Sequence, residues 1–368
     1  FTLNKMYIDI RILKNLLSEY KSRVRKPTTT IKKLPKNVLL ETVNYCNLKC
    51  PVCSTSRIGK NIQRLMTLDE YKGIINQLPA DTNVSLYHYG ESFLHPEIFE
   101  MISLAKKLNL NVYLHSNLNI DKAIIKKIAQ SGIDFISSSI DGASKETYDK
   151  FRKKGNYELA WSNFLELDRL KAEYNANFTL VWQFIVNKYN EHEMDKAVEL
   201  LKSMKSSPRI SFIPMGFREE MPDYYQFSKE QVMILYEKWL PKNKDYHNPY
   251  IKNNLNPPVI ENTICNFLYD TMLITANGDV LPCCFTYQKK HSFGNAFDTP
   301  LLEIWNNKSY QSSRQFFFDK SYNDCSTICS RCENFVRIES KNIFIRNYHF
   351  LIWFLNKINK KYKEIATG

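Results

Sequence analysis

The run Glu41-Thr42-Val43-Asn44-Tyr45-Cys46-Asn47-Leu48-Lys49-Cys50-Pro51-Val52-Cys53 sets the interpretation of the whole chain. It follows an apolar, β-type segment and carries three thiols in C-x3-C-x2-C spacing. Three thiolates this close can grip three irons of a [4Fe–4S] cluster from one loop. The fourth iron is then left without a protein ligand. Closed iron–sulfur sites and structural zinc sites use four ligands, so a three-ligand loop suits an exchangeable occupant. A zinc knuckle completed from elsewhere, or plain buried thiols, are the competing readings of the spacing alone.

Composition narrows the class. At 368 residues, with 43% hydrophobic side chains, the chain can bury a large core plus a smaller unit. Its nine cysteines fall in three groups, at 46–53, 265–284 and 325–332. With no signal-type segment, that clustering reads as metal ligation rather than a disulfide framework, and a reducing cytoplasm is expected. Of the net charge of +13, residues 1–37 hold +8 and residues 333–368 hold +4. Basic ends on a neutral body suggest a surface role toward anionic lipid, a partner or an acidic substrate.

From Val38 a strand–helix rhythm begins. Strands are expected at Val38–Val43, Val84–Tyr89, Asn111–Ser116, Phe135–Ile140, Phe178–Val186 and Ile210–Pro214. Helices are expected from the Thr67–Glu70 capping box, over Pro96–Leu108, Asp121–Gln130, Asn156–Tyr174 and Glu191–Met204, and around Ser228–Trp239. Six alternating units predict an α/β fold with a parallel sheet, a partial and open (β/α)6 TIM-like barrel. In such folds the site lies at the C-terminal strand ends. The cysteines, Tyr89-Gly90-Glu91, Ser116-Asn117 and Ser139-Ile140-Asp141-Gly142 all fall there. The expected organisation is a basic helix and linker over 1–37, the barrel over 38–216 and a bridge over 217–262. A cysteine-bearing unit over 263–335 and a basic aromatic tail over 336–368 follow.

The triad after the first strand resembles the radical S-adenosylmethionine (SAM) enzymes, whose open iron binds the amino and carboxylate groups of SAM. The resemblance extends to Tyr89-Gly90-Glu91-Ser92, which stands where that family carries a Gly-Gly-Glu-Pro-like turn for the SAM amino group. The first Gly is here Tyr and the Pro is Ser. It implies further SAM contacts from Ser116, from Ser137 or Ser139 on one face of the fourth strand, and from Asp141. Arg152 would face the SAM carboxylate, with Gln183 near the ribose and Met215 along the adenine. A solvated Arg152 and a core-packed Met215 are the plain alternatives.

A second set of cysteines begins at Cys265. Asn277-Gly278 between two β-type runs is a hairpin signal that would bring Cys265 and Cys283 together. Cys325, Cys329 and Cys332 repeat the C-x3-C-x2-C spacing. This unit, with Phe293-Gly294-Asn295 and Trp305-Asn306, resembles the SPASM/twitch domains that bind auxiliary [4Fe–4S] clusters. Six thiols beyond the triad favour one auxiliary cluster, on Cys265, Cys283, Cys329 and Cys332. Cys284 and Cys325 would be spare, and a spare thiol near substrate could return hydrogen in an epimerisation. A structural zinc on the same four ligands is the alternative.

The resemblance implies two [4Fe–4S] clusters, SAM, and an electron donor such as flavodoxin or ferredoxin. A small-molecule or glycan substrate is expected, oxidised or epimerised, because peptide-modifying relatives carry an N-terminal peptide-binding domain about twice the length of residues 1–37. A peptide-modifying maturase is the first alternative, and a non-catalytic iron–sulfur or zinc protein the second. No nucleic acid is expected. The apolar run Ile343–Leu355 followed by lysines admits peripheral contact with the inner membrane surface, against the plainer reading of a packed helix.

Overall fold

The computed structural model describes residues 28–57, 59–215, 229–247, 265–284, 286–319 and 321–332. Residues 1–27, which hold most of the expected basic helix and linker, and the aromatic tail over 336–368 lie outside them.

Six parallel strands alternate with helices as expected. They are β1 (Asn37–Leu40), β2 (Asn83–Ser85), β3 (Asn111–Ser116), β4 (Phe135–Ser139), β5 (Thr179–Val186) and β6 (Arg209–Pro214). Helices α1 (Leu68–Ile75), α2 (Ile98–Lys107), α3 (Lys122–Gln130), α4 (Lys145–Phe151), α5 (Tyr157–Glu173) and α6 (Met194–Lys202) cross between them. The capping box is present. Thr67 Oγ1 accepts the Glu70 N–H, and the Glu70 carboxylate accepts the Thr67 N–H. Asp121 and Asn156 cap α3 and α5 with their side chains alone, accepting the Ala123 and Leu159 N–H groups. The sequence reading had no helix at α4. Ser144 caps it, and it ends at Arg152, so it delivers that residue to the strand ends.

Alternate positions of each strand go to opposite faces. Leu40, Val84, Val112, Leu114, Ile136, Leu180 and Trp182 pack outward into the helices and are fully or almost fully buried. Trp182 packs in tilted ring contacts with Trp161, Phe164 and Phe184, and its indole N–H is satisfied by the Ile140 carbonyl at 2.6 Å. At the N-terminal strand ends Asn37, Asn83 and Asn111 form a ladder of amide hydrogen bonds at 2.8 and 3.0 Å.

The sheet extends beyond the six strands of the sequence reading. The unit beginning at Cys265 does not stand apart from the barrel. After helix α8 (Phe267–Asp270), strand β7 (Thr271–Ile274) pairs in parallel with β1, and β8 (Val280–Leu281) pairs antiparallel with β7. The sheet therefore has eight strands in the order β6-β5-β4-β3-β2-β1-β7-β8. The reason is that β1 has a second edge, and the apolar Met272, Leu273 and Ile274 cover it. The Asn277-Gly278 hairpin signal holds. Gly278 sits at φ +80°, where a Cβ would strike Asn295 and the Phe297 ring at 2.6 Å. Helices α9 (Leu301–Trp305) and α10 (Lys308–Phe318) complete the unit. The bridge contributes α7 (Lys229–Trp239). Among the described residues no helix is long and apolar enough to cross a membrane.

Candidate active site at the cysteine triad

The ladder of β2 stops at Ser85, four residues before the expected end, because the chain leaves the sheet to lay Tyr89-Gly90-Glu91 against the cysteine loop. Glu91 N–H donates to the Tyr45 carbonyl at 3.0 Å. Gly90 has φ +87°, and a Cβ there would lie 2.3 Å from the Val43 carbonyl oxygen. This backbone contact permits no side chain, which is why the turn keeps this glycine while its neighbour is Tyr. The Glu91 carboxylate is buried and accepts N–H bonds from Asn117 at 2.8 Å and Phe93 at 3.3 Å. Burial nevertheless pushes its pKa up to about 6.

The triad loop is fastened at its far side by Lys49 N–H to the Lys153 carbonyl at 2.8 Å. Leu48 and Cys50 pack with Phe151, Met215, Tyr236 and Trp239 in an apolar cluster of their own, so α7 covers the loop. Met215 belongs to that packing. No disulfide engages Cys46, Cys50 or Cys53. Each triad sulfur has a hydrogen-bond partner: Leu48 N–H at 3.4 Å and Asn117 Nδ2 at 3.5 Å donate to Cys46, Arg152 Nη1 lies 3.9 Å from Cys50, and Cys53 shares a bond of either direction with Thr55 Oγ1 at 3.0 Å. Burial pushes the Cys46 thiol up to about 12 and the Cys50 thiol up to about 11, with Arg152 opposing the latter. Metal charge is what would draw the thiolates out, with loss of protons.

Arg152 forms an ion pair with Asp141 at 2.6 Å; the Asp141 side chain is fully buried and that of Arg152 is 11% exposed. Asp141 also accepts the Ile185 N–H at 2.7 Å. Desolvation raises the Asp141 pKa against the pull of Arg152. The two residues expected to meet SAM separately are thus partners. One cavity is lined by the three triad cysteines together with Tyr89, Gly90, Glu91, Ser116, Ser139 and Arg152. Gln183 stands behind it, donating to Ser139 Oγ at 3.2 Å, and Ser137 lies one step down the strand in register with His115.

Three lining or flanking residues escaped the sequence reading. His88 and His115 line the cavity, and burial holds their pKa down at about 3 and about 4, so both are neutral. Glu41, fully buried, accepts N–H bonds from Tyr89 and Ala276 and the Tyr287 hydroxyl. An acidic residue closing the apolar first strand, five positions before Cys46, was the available signal.

In the second unit, hairpin register puts Cys283 at the same end of β7–β8 as the segment entered from Cys265. Cys265 lies in the electrostatic range of Cys329 and Cys332, and Cys329 in that of Cys325. Burial raises the Cys265 thiol, and raises Cys329 to about 12. Tyr310 is close to both Cys329 and Cys283. Cys284 faces the barrel instead, near Tyr87, with its backbone bonded to His88. Among the described residues no three His, Cys, Asp or Glu side chains close on a single-ion site. A parallel α/β sheet with an open-cornered cysteine triad at its C-terminal edge and further cysteines alongside defines a class of iron–sulfur enzyme.

Two family models place the chain within that class. The radical SAM superfamily model matches residues 40–201, and the SPASM iron–sulfur cluster-binding domain model matches residues 265–333. The chain belongs to the radical SAM superfamily and carries a SPASM domain, with SAM and [4Fe–4S] clusters as the cofactors this implies. It is 24% identical over 301 residues to an AdoMet-dependent heme synthase of Methanosarcina barkeri, covering 74% of this chain and 82% of the relative. It is also 24% identical over 309 residues to a PqqA peptide cyclase of Rhizobium meliloti, covering 77% and 78%. The fold matches Streptococcus suis SuiB, solved bound to its precursor peptide SuiA, with a TM-score of 0.54 at 16% identity. That match covers 84% of this chain and 72% of SuiB. The donor set fits its cofactor: Cys46, Cys50 and Cys53 would hold the SAM-binding cluster, each sulfur already within hydrogen-bond reach of a polar partner.

Proposed function

We propose that this radical SAM enzyme modifies a peptide substrate, in preference to the carbohydrate-like substrate that the sequence favoured. The observation that carries this reading is the company the chain keeps. A peptide cyclase matches it over three quarters of its length, and a fold solved with a precursor peptide spans 84% of it. When bound, cluster and SAM supply a one-electron cleavage whose 5′-deoxyadenosyl radical takes hydrogen from carbon. The chain's own residues hold and shield that chemistry. Gly90 lets the turn approach the triad loop, Arg152 offers a cation at the cavity wall for a carboxylate, and Ser116 and Ser139 offer hydroxyls to a ribose. Phe151, Tyr236 and Trp239 exclude water from the loop.

Cys265, Cys283, Cys329 and Cys332 would hold one auxiliary cluster, with Cys325 spare. Cys284, on the barrel side of the hairpin, is the candidate hydrogen donor. An electron donor such as flavodoxin or ferredoxin would supply the reducing equivalents. The heme synthase relative, at equal identity, makes a porphyrin substrate the second reading.

The test is anaerobic incubation of reconstituted enzyme with SAM and dithionite. Candidate peptides encoded beside the gene, an iron porphyrin and nucleotide sugars are supplied separately. Peptide-dependent 5′-deoxyadenosine with a mass change in the peptide is expected. Turnover with the porphyrin or a sugar alone would refute the peptide reading. No 5′-deoxyadenosine under any condition would remove the enzymatic one.

A further inference from the structure

Asn117 follows β3 and is 5% exposed. Every polar atom it has is engaged. Its backbone N–H donates to Glu91 at 2.8 Å, and its carbonyl accepts from Asn119 Nδ2 at 3.1 Å. Its side-chain Oδ1 accepts the Asn119 N–H at 2.7 Å. That last bond settles which amide atom is oxygen, so Nδ2 is the atom that faces Cys46 Sγ at 3.5 Å and Asn47 Oδ1 at 2.9 Å. Asn47 in turn donates to the Asn119 carbonyl at 2.7 Å, and Asn119 Nδ2 also reaches the Tyr148 hydroxyl at 2.7 Å. Three asparagines thus lace the cysteine loop to the end of β3 and to α4.

We infer that Asn117 is a positioning residue that sets the reduction potential of the SAM-binding cluster through a neutral N–H bond to the Cys46 sulfur. Two physical facts lead there. A hydrogen bond to a ligand sulfur withdraws charge from it and favours the reduced, more negative cluster. Outer groups also fix the orientation of the ligand they touch. Among the triad's polar partners, Leu48 acts through backbone, Thr55 is a rotatable hydroxyl, and Arg152 is already paired with Asp141. Asn117 is the buried side chain that meets a ligand sulfur with a fixed, uncharged donor. Its neighbour Asn47 holds that donor in place and acts one step further out.

The experiment is an EPR-monitored redox titration of the reconstituted holoenzyme and of Asn117→Asp and Asn117→Ser. Asn117→Asp keeps the shape and the Asn119 contact but turns an acceptor toward the sulfur. Asn117→Ser withdraws the donor. The expected result is a midpoint of the SAM-binding cluster that moves negative in both, further for Asn117→Asp, while the auxiliary cluster titrates as in the wild type. An unmoved midpoint in both variants at full iron content overturns the inference. So does an equal shift of both clusters, which would report general loosening. Retention of the auxiliary cluster with loss of the SAM-binding one would make Asn117 a latch for the loop and would also overturn it.

Discussion

Replacing Glu41 with Ala removes the acceptor for three donors at once: the Ala276 N–H at 3.1 Å, the Tyr89 N–H at 3.3 Å and the Tyr287 hydroxyl at 3.1 Å. The site is fully buried, so water does not replace the carboxylate. Each stranded buried donor costs about 1–3 kcal/mol, and the phenol can turn away, which leaves about 3–5 kcal/mol for the two backbone groups and the cavity. That is a large part of the stability of an ordinary domain. The loss falls on the junction of β1, the Gly90 turn and the β7–β8 hairpin.

Glu41→Gln separates charge from shape. Burial raises the Glu41 pKa from 4.5 to about 7. The folded state therefore holds this proton more tightly than the unfolded one. The contribution is fully present below about 4.5, is lost as pH rises to about 7, and amounts to about 3 kcal/mol at most. The assay is anaerobic urea denaturation of the holoenzyme followed by tryptophan fluorescence at pH 5.5 and pH 8. Glu41→Ala is expected to be destabilised at both values, and Glu41→Gln to flatten the pH dependence. A Glu41→Ala cost below about 0.5 kcal/mol, or an unchanged pH slope in Glu41→Gln, refutes the reasoning.

Gly90→Ala drives a Cβ against the Val43 carbonyl, so the triad loop must move; iron content should fall by about four per chain, the content of one cluster. Cys50→Ala should abolish 5′-deoxyadenosine while the auxiliary cluster's absorbance persists, and residual SAM cleavage would count against the triad assignment. Asp168, buried, accepts the Lys205 and Ser206 N–H groups at 2.8 and 2.9 Å, so Asp168→Ala should cost about 2–4 kcal/mol in thermal unfolding. Arg169→Ala breaks pairs with Glu166 and Glu173 on the solvent side of α5, where solvent screens them, so thermal unfolding should be essentially unchanged and a clear drop in the midpoint would contradict the exposed-pair argument.

What the sequence announced was local. The strand–helix alternation, the Thr67–Glu70 box and the Asn277-Gly278 turn each depend on neighbours within a few residues, and each is present. So is the triad, whose spacing is its own signal. What it withheld depends on distant pairing. The early end of β2 follows from the approach of Gly90 to Val43, and the pairing of β7 with β1 joins segments 234 positions apart, Asn37 with Thr271. Asp141 and Arg152 carry the right chemistry for a cofactor site but meet each other, since the buried Asp141 carboxylate is costly alone. Glu41 and Asn117 are polar residues whose purpose shows only in the groups they satisfy.

The strand that joins the two halves also orders events in time. Asn37 and Asp270, hydrogen-bonded across the β1 end of the sheet, lie 233 positions apart. During synthesis at about 5–20 residues per second, β1 has emerged some 10–50 s before its β7 partner exists. Through that interval one edge of the nascent barrel presents unpaired backbone groups, a template for pairing with other chains. The loop closed at the end is among the longest the chain can form, which places this step late and slow in folding. The hazard of the fold is therefore concentrated in four residues, Asn37–Leu40, whose protection arrives only with Thr271–Ile274.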